Sequence, residues 1–199
     1  MRKISILVLI LSSFIGANAQ SQLGIKAGTN FFALHSSNNE QLDYATGKFG
    51  YVFGLTYELP VSKNFSVQPE LNYSYQVAKE TYYGSNIHLT YVQVPVMFQF
   101  QPTNARIKIY GGPQVGFLSN AKIKYDDATP TKNVNNQMVQ TDFGFAGGIG
   151  TTPCKGGYSL DLRVYKGMTN VFRAVYDNGT KSRPTLISLT IGYRFGAKK

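Results

Sequence analysis

Residues Phe65–Tyr75 read FSVQPELNYSY, and this stretch decides the fold. Phe65, Val67, Pro69, Leu71, Tyr73 and Tyr75 alternate with Ser66, Gln68, Glu70, Asn72 and Ser74 without a fault. A β-strand sends successive side chains to opposite faces, so the pattern predicts a strand with one apolar and one polar face. Soluble strands usually run to about 5–6 residues, whereas a tilted strand crossing a bilayer needs roughly 9–11. The length points to a membrane-spanning strand.

Both flanks repeat the idea. Toward the N-terminus, Leu23–Phe31 sets Leu23, Ile25, Ala27, Thr29 and Phe31 against Gly24, Lys26, Gly28 and Asn30. Tyr51–Leu59 sets Tyr51, Phe53, Leu55, Tyr57 and Leu59 against Gly54, Thr56 and Glu58. Toward the C-terminus, Leu89–Phe100 carries Val92, Val94, Val96, Phe98 and Phe100 on its apolar face. Ile107–Leu118 turns Ile109, Val115 and Phe117 one way and Lys108, Tyr110 and Gln114 the other. Thr141–Gly150 opposes Phe143, Phe145 and Ile149 to Asp142 and small residues. Tyr158–Lys166 opposes Tyr158, Leu160, Leu162 and Val164 to Ser159, Asp161, Arg163 and Tyr165. The last strand sets Ile187, Leu189, Ile191, Tyr193 and Phe195 against Ser188, Thr190, Gly192 and Arg194. The predicted fold is all-β, an eight-stranded antiparallel up-and-down transmembrane β-barrel. The even count is the one bacterial barrels show.

The connections alternate in length. Ala33–Phe49, Ser119–Gln140 and Gly167–Pro184 are long, and Lys79–Ile87 is middling. Pro60–Asn64, Gln101–Arg106 and Thr151–Gly157 are short. Outer-membrane barrels pair long external loops with short periplasmic turns in this way. The N-terminus carries an export layout: Arg2 and Lys3, an apolar run Ile4–Leu11 broken only by Ser5, and a small-x-small site at Ala17-Asn18-Ala19. The run is too short for a spanning helix, which needs about 20 residues. The expected organisation is a signal peptide over 1–19 and an outer-membrane barrel domain over 20–199. Eight strands after a signal peptide put both termini on the periplasmic side. There the turns and tail carry Lys63, Arg106, Lys155, Lys198 and Lys199 without an acid.

Composition agrees with one β-rich domain. The chain has 199 residues, of which 15% are charged and 14% aromatic, so it is an ordered rather than a disordered sequence. A single cysteine, Cys154, excludes an internal disulfide framework. The net charge of +10 would raise nucleic acid as a partner of a soluble protein; export argues against it here.

Strand parity sorts the charges. Lys26, Lys108, Arg163 and Arg194 are predicted to face the lumen together with Glu58, Glu70, Asp142 and Asp161. Four of each sign imply an interior ion network of structural kind, because buried charges survive when paired. Only Lys166 falls on the lipid-facing parity, near a strand end where it can snorkel. A soluble lipocalin-like barrel would invert the pattern. Tyr57, Phe65, Phe98, Phe100, Tyr193 and Phe195 at the turn side are expected to form one interfacial girdle. Phe31, Tyr51, Tyr73, Tyr75, Phe117 and Phe143 at the loop side are expected to form the other. Pro69, Pro95 and Pro113 lie inside proposed strands, and a closed barrel has no edge to hide a missing N–H, so each is expected at a bulge or irregularity.

Little catalytic chemistry is legible. His35 with Ser36, Ser37 and Asp43 could mimic a hydrolase set, but the spacing fits no motif and solvated loop residues explain it better. No zinc-type cluster is present in the sequence. Gly144–Gly150, GFAGGIG, leads into no helix and is not a phosphate cradle. Asn178-Gly179-Thr180 reads as a tight turn.

Six segments resemble the PorT-like outer-membrane β-barrel proteins: GIKAGTNFF (Gly24–Phe32), FSVQPELNYSY, YVQVPVMFQF (Tyr91–Phe100), YGGPQVGF (Tyr110–Phe117), DFGFAGGIG (Asp142–Gly150) and LRVYKGMTN (Leu162–Asn170). The resemblance covers nearly all of the mature chain, and QPE and VPV are its most specific parts. It implies an outer-membrane barrel and brings no catalytic residues. The founding member is tied to protein secretion. One departure is the tail: Gly196-Ala197-Lys198-Lys199 follows Phe195, which implies either weaker recognition by the assembly machinery or recognition of Phe195 from an internal position.

The functional expectation is an integral outer-membrane protein with a structural or interaction role through its external loops. It is expected to be no large pore and no enzyme, and to need no cofactor and no metal. Expected partners are outer-membrane lipid and lipopolysaccharide, the outer-membrane assembly machinery and a protein at the loops or turns. The alternatives are a surface barrel enzyme acting on lipid or peptide, and a soluble ligand-binding barrel.

Overall fold

A computed structural model describes residues 21–36, 45–80, 85–103, 105–125, 130–151, 157–171 and 182–196. The expected signal peptide, Ser37, Asp43, Cys154 and the Asn178–Thr180 turn lie outside these residues.

The strands are β1 (Gln22–Ser36), β2 (Ala45–Pro60), β3 (Phe65–Glu80), β4 (Ser85–Phe100), β5 (Ile107–Tyr125), β6 (Lys132–Asn133), β7 (Thr141–Thr151), β8 (Tyr158–Gly167) and β9 (Ser182–Arg194). Each of the eight long strands pairs antiparallel with its chain neighbour. β9 pairs back onto β1 from Gly24–Arg194 to Ser36–Ser182, which closes the barrel. The two-residue β6 pairs only with the top of β5 and stands outside the cycle.

At one end, here the turn end, the connections are tight. Val61 N donates to Phe65 O at 2.9 Å, and Gln101 N to Asn64 O at 2.8 Å, tying two turns together. Phe195 N donates to Leu23 O at 2.8 Å, fixing the last strand beside the first.

The loop end departs from expectation. Strands run on where loops were predicted: β1–β4 have 15 or 16 residues and β5 has 19. β7 and β8 have only 11 and 10. Ala33–Ser36, Ala45–Phe49, Lys79–Glu80, Ser85–Ile87 and Ser119–Tyr125 are therefore strand, not loop. The barrel is a tall wall of β1–β5 joined to a low wall of β7 and β8.

Side-chain parity follows the sequence through the middle of the barrel. Leu23, Ile25, Phe53, Leu55, Leu71, Phe98, Ile109, Phe145, Leu162 and Ile191 stand on the outer face, all exposed. Lys166 also points outward, and its Nζ donates to Thr185 Oγ1 at 3.1 Å.

The prolines sit at interruptions of the ladder rather than at bulges. Pro69 pairs with Val96, and the ladder resumes at Asn72–Gln93 in the same register. Pro95 pairs with Gln114, and that ladder resumes at Phe98–Gly111, again unshifted. No bulge is needed. Continuing the register puts Pro69, Val96 and Pro113 in one row across β3, β4 and β5, so the missing donors fall in one local gap. The register shifts lie elsewhere, at Phe32/Leu34, Lys48/Tyr51 and Thr90/Tyr91, all toward the loop end.

Candidate functional site

The lumen is the densest chemistry in the molecule. Glu70 stands mid-strand on β3, and its carboxylate is fully buried. Arg163 reaches it from β8, diametrically opposite in the strand cycle, with Nη1 donating to Oε2 at 2.7 Å and Nη2 to Oε1 at 2.8 Å. This two-pronged geometry is the strong form of a carboxylate–guanidinium pair. Lys26 Nζ donates to Oε2 at 2.6 Å, Gln68 Nε2 to Oε1 at 2.7 Å and Asn72 Nδ2 to Oε2 at 3.1 Å. One carboxylate thus accepts five hydrogen bonds and bridges the full width of the barrel. The guanidinium also lies 5.0 Å from the centre of the Tyr110 ring, a cation–π contact.

Two further pairs flank this centre. Lys108 Nζ lies 3.4 Å from Asp161 Oδ1, and Arg194 is paired with Glu58 near the turn end. Glycines make room for them. In register, Gly150 sits between Lys108 and Asp161, where a Cβ would come 2.1 Å from Asp161 Oδ1. Gly54 sits between Lys26 and Asn72, where a Cβ would come 2.0 Å from Asn72 Oδ1.

Of the eight predicted lumenal charges, seven form these pairs. Asp142 is the exception. Its Oδ2 accepts the Tyr165 hydroxyl at 2.6 Å, and its Oδ1 is buried without a hydrogen-bond partner among the described residues. Two cavities of about 20 Å³ each flank Arg163, room for about one water apiece. The larger hollow, about 600 Å³, lies on the apolar outer face around Ala27, between Ile25, Phe53, Leu71 and Ile191.

Above Glu70 the lumen turns apolar, which sequence reasoning missed. Phe32, Ala78, Ile87, Leu89, Leu118, Ala121 and Leu186 point inward and pack with Val134, Met138 and Val171. Val134 and Met138 come from the chain between β5 and β7, predicted as external loop. Val134 N donates to Ala121 O at 3.0 Å, Val139 N to Val171 O at 2.9 Å, and Asn135 Oδ1 accepts from Ala121 N. The segment folds back as a cork over the low β7–β8 wall. The available signal was the parity of Ile87 and Leu89: continuing the β4 alternation turns them inward although they are apolar.

The histidines form no hydrolase set among the described residues. The Tyr75 hydroxyl lies 2.6 Å from His88 Nδ1. His35 is placed by its backbone in β1, opposite Arg183.

The aromatic residues complete the picture of a membrane wall. At the turn end Phe65 and Phe100 lie 4.8 Å apart and Tyr193 and Phe195 5.1 Å apart, centre to centre. At the loop end Tyr51 stacks on Tyr75 at 4.9 Å. Among the described residues no helix is long and apolar enough to cross a membrane; the crossing is made by strands.

Residues 17–173 match the model of the outer membrane protein beta-barrel domain, and the chain belongs to that family. Similar solved structures are small barrels. Neisserial surface protein A is 12% identical with a TM-score of 0.54, over 87% of this chain and 97% of that one. A major outer membrane protein from Thermus thermophilus is 14% identical with a TM-score of 0.54, over 88% and 100%. Ail of Yersinia pestis, solved with the heparin analogue sucrose octasulfate, is 16% identical with a TM-score of 0.52, over 88% and 99%. At these identities the likeness is one of fold. The curated proteins give no match in sequence. The protein is an eight-stranded outer-membrane barrel, and it is not a large pore.

Proposed function

We propose that this barrel is a surface-exposed interaction protein, with its turn end and termini in the periplasm and its tall β1–β5 wall outside the cell. The observation that carries the reading is the filled lumen. A Glu70–Arg163 bridge crosses it at mid-height and an apolar cork fills its mouth, so the protein acts through its surface rather than by conduction. Eight strands enclose a space just wide enough for side chains. The lumenal charges are structural in this reading: seven of the eight pair, and the Glu70–Arg163 bridge locks opposite walls together.

The resemblance of the QPE and VPV strands extends the proposal to the PorT-like group within the broader family. The outer-membrane assembly machinery and outer-leaflet lipid are its natural partners, the first reading Phe195 as an internal signal. We favour no catalytic role, since no described cluster orients a nucleophile and a base.

Orientation is tested in a Cys154→Ser background. A cysteine at Lys132 should react with an impermeant maleimide on intact cells, whereas a cysteine at Lys63 should react only after the outer membrane is permeabilised. The reverse labelling would overturn the proposal.

A further inference from the structure

The outer faces of β2–β5 change character along each strand. Between the girdles they show Phe53, Leu71, Val92 and Ile109. Beyond Tyr51, Tyr75 and Phe117 the outward residues include Lys48, Lys79, Asn86, His88, Lys122 and Lys124, while Ala78, Ile87, Leu89 and Ala121 turn inward. The amphipathic sense of β3, β4 and β5 thus inverts at one level, while β2 keeps Phe49 exposed beside Lys48. Apolar residues face out where lipid covers the wall, and polar residues face out where it ends.

Strand register gathers the basic residues into two rows. In the lower row Lys48 pairs with Val77, Val77 with His88, and His88 with Lys122. In the upper row Lys79 pairs with Asn86 and Asn86 with Lys124. Neighbouring strands lie about 4.8 Å apart and alternate residues on one strand about 6.7 Å, so four lysines root within roughly 15 by 7 Å. Lys48 Nζ donates to Asn86 Oδ1 at 2.7 Å, joining the rows, and the Tyr75–His88 contact ties the lower row to the girdle. Among residues whose side chains are described, the acids Glu58, Glu70, Asp142 and Asp161 all lie in the lumen.

We infer that the patch binds the phosphate groups of an outer-leaflet glycolipid, holding it against the β2–β5 wall. This rests on the orientation proposed above. The rows face sideways, directly above Tyr51, Tyr73 and Tyr75, whose rings suit the headgroup level of a membrane. A lipid whose phosphates meet the lysines there lays its acyl chains down the apolar wall over Leu71 and Val92. A soluble polyanion would gain only the charge contacts. Lysine ammoniums on flexible stems serve as point charges for phosphate without fixed angular demands.

The test uses the full chain in phosphatidylcholine nanodiscs doped with bis-phosphorylated lipid A, reading the lipid A retained per protein. The wild type should enrich lipid A, and K48Q/K79Q/K122Q/K124Q should lower the enrichment by about tenfold or more. High salt should lower it as well, and dephosphorylated lipid A should show none. K63Q/R106Q at the turn end should change nothing. Should the fourfold variant fail to fold, judged by heat-modifiable migration, K122Q/K124Q gives the reading as a several-fold loss. Equal retention by wild type and variant would overturn the inference, as would equal retention of dephosphorylated lipid A. So would a variant that loses heparin binding yet keeps lipid A, which would assign the patch to a soluble polyanion. The maleimide labelling reports separately: external labelling at residue 132 with unchanged lipid A sinks this inference alone, and periplasmic labelling there sinks the orientation with it.

Discussion

The same strands build two unlike halves of one lumen. At the level of Glu70 the interior is ionic: two cations and two amides converge on one carboxylate, and neighbouring glycines clear the space. Higher up, Phe32 on β1, Leu89 on β4 and Leu118 on β5 close over Val134 and Met138 like the core of a soluble protein. The lower half is held by directional contacts that no single apolar group can replace. The upper half is held by volume. Substitutions of similar size should therefore have unlike effects in the two places.

The largest effect should follow Glu70→Leu. It leaves Lys26 and Arg163 buried in the lumen without their carboxylate, and breaking a buried pair in this way costs about 3–5 kcal/mol. Urea unfolding from lipid vesicles measures it. Adding Lys26→Met should recover part of the loss, since contacting sites couple. An unchanged unfolding midpoint in the single variant would mean the centre is solvated.

In the upper half, Leu89→Ala should cost about 2–4 kcal/mol by transfer and cavity terms, whereas Leu89→Met should cost less than about 1.5. The same unfolding assay compares them. If the two substitutions cost the same, the mouth is not packed by volume and the contrast fails.

The smallest effect should come from Asp142→Asn. Asp142 has no cation partner among the described residues, and the Tyr165 hydroxyl can still donate to the amide oxygen. A change within about 1 kcal/mol is expected. A loss comparable to that of Glu70→Leu would show that Asp142 belongs to the ionic centre.

This contrast also explains what the sequence reveals. Within the membrane zone one rule holds, apolar out and polar in, so Phe65–Tyr75 and its seven relatives declare their strands and the residues of the Glu70 centre. Above the girdle the outer solvent changes from lipid to water and the rule inverts. Lys79, Lys122 and Lys124 then read as loop residues although they lie on strands. Register shifts at Lys48/Tyr51 and Thr90/Tyr91 break the parity at about the same height. The cork was hidden for another reason: Val134 and Met138 sit in a polar segment without periodicity, and only tertiary packing assigns them inward.

The central claim is that the lumen is filled from the Glu70 bridge to the cork, and planar-bilayer recording tests it most directly. The purified, heat-modifiable wild-type protein should insert without stable conductance. Stable porin-like current steps from the folded wild type would contradict the account.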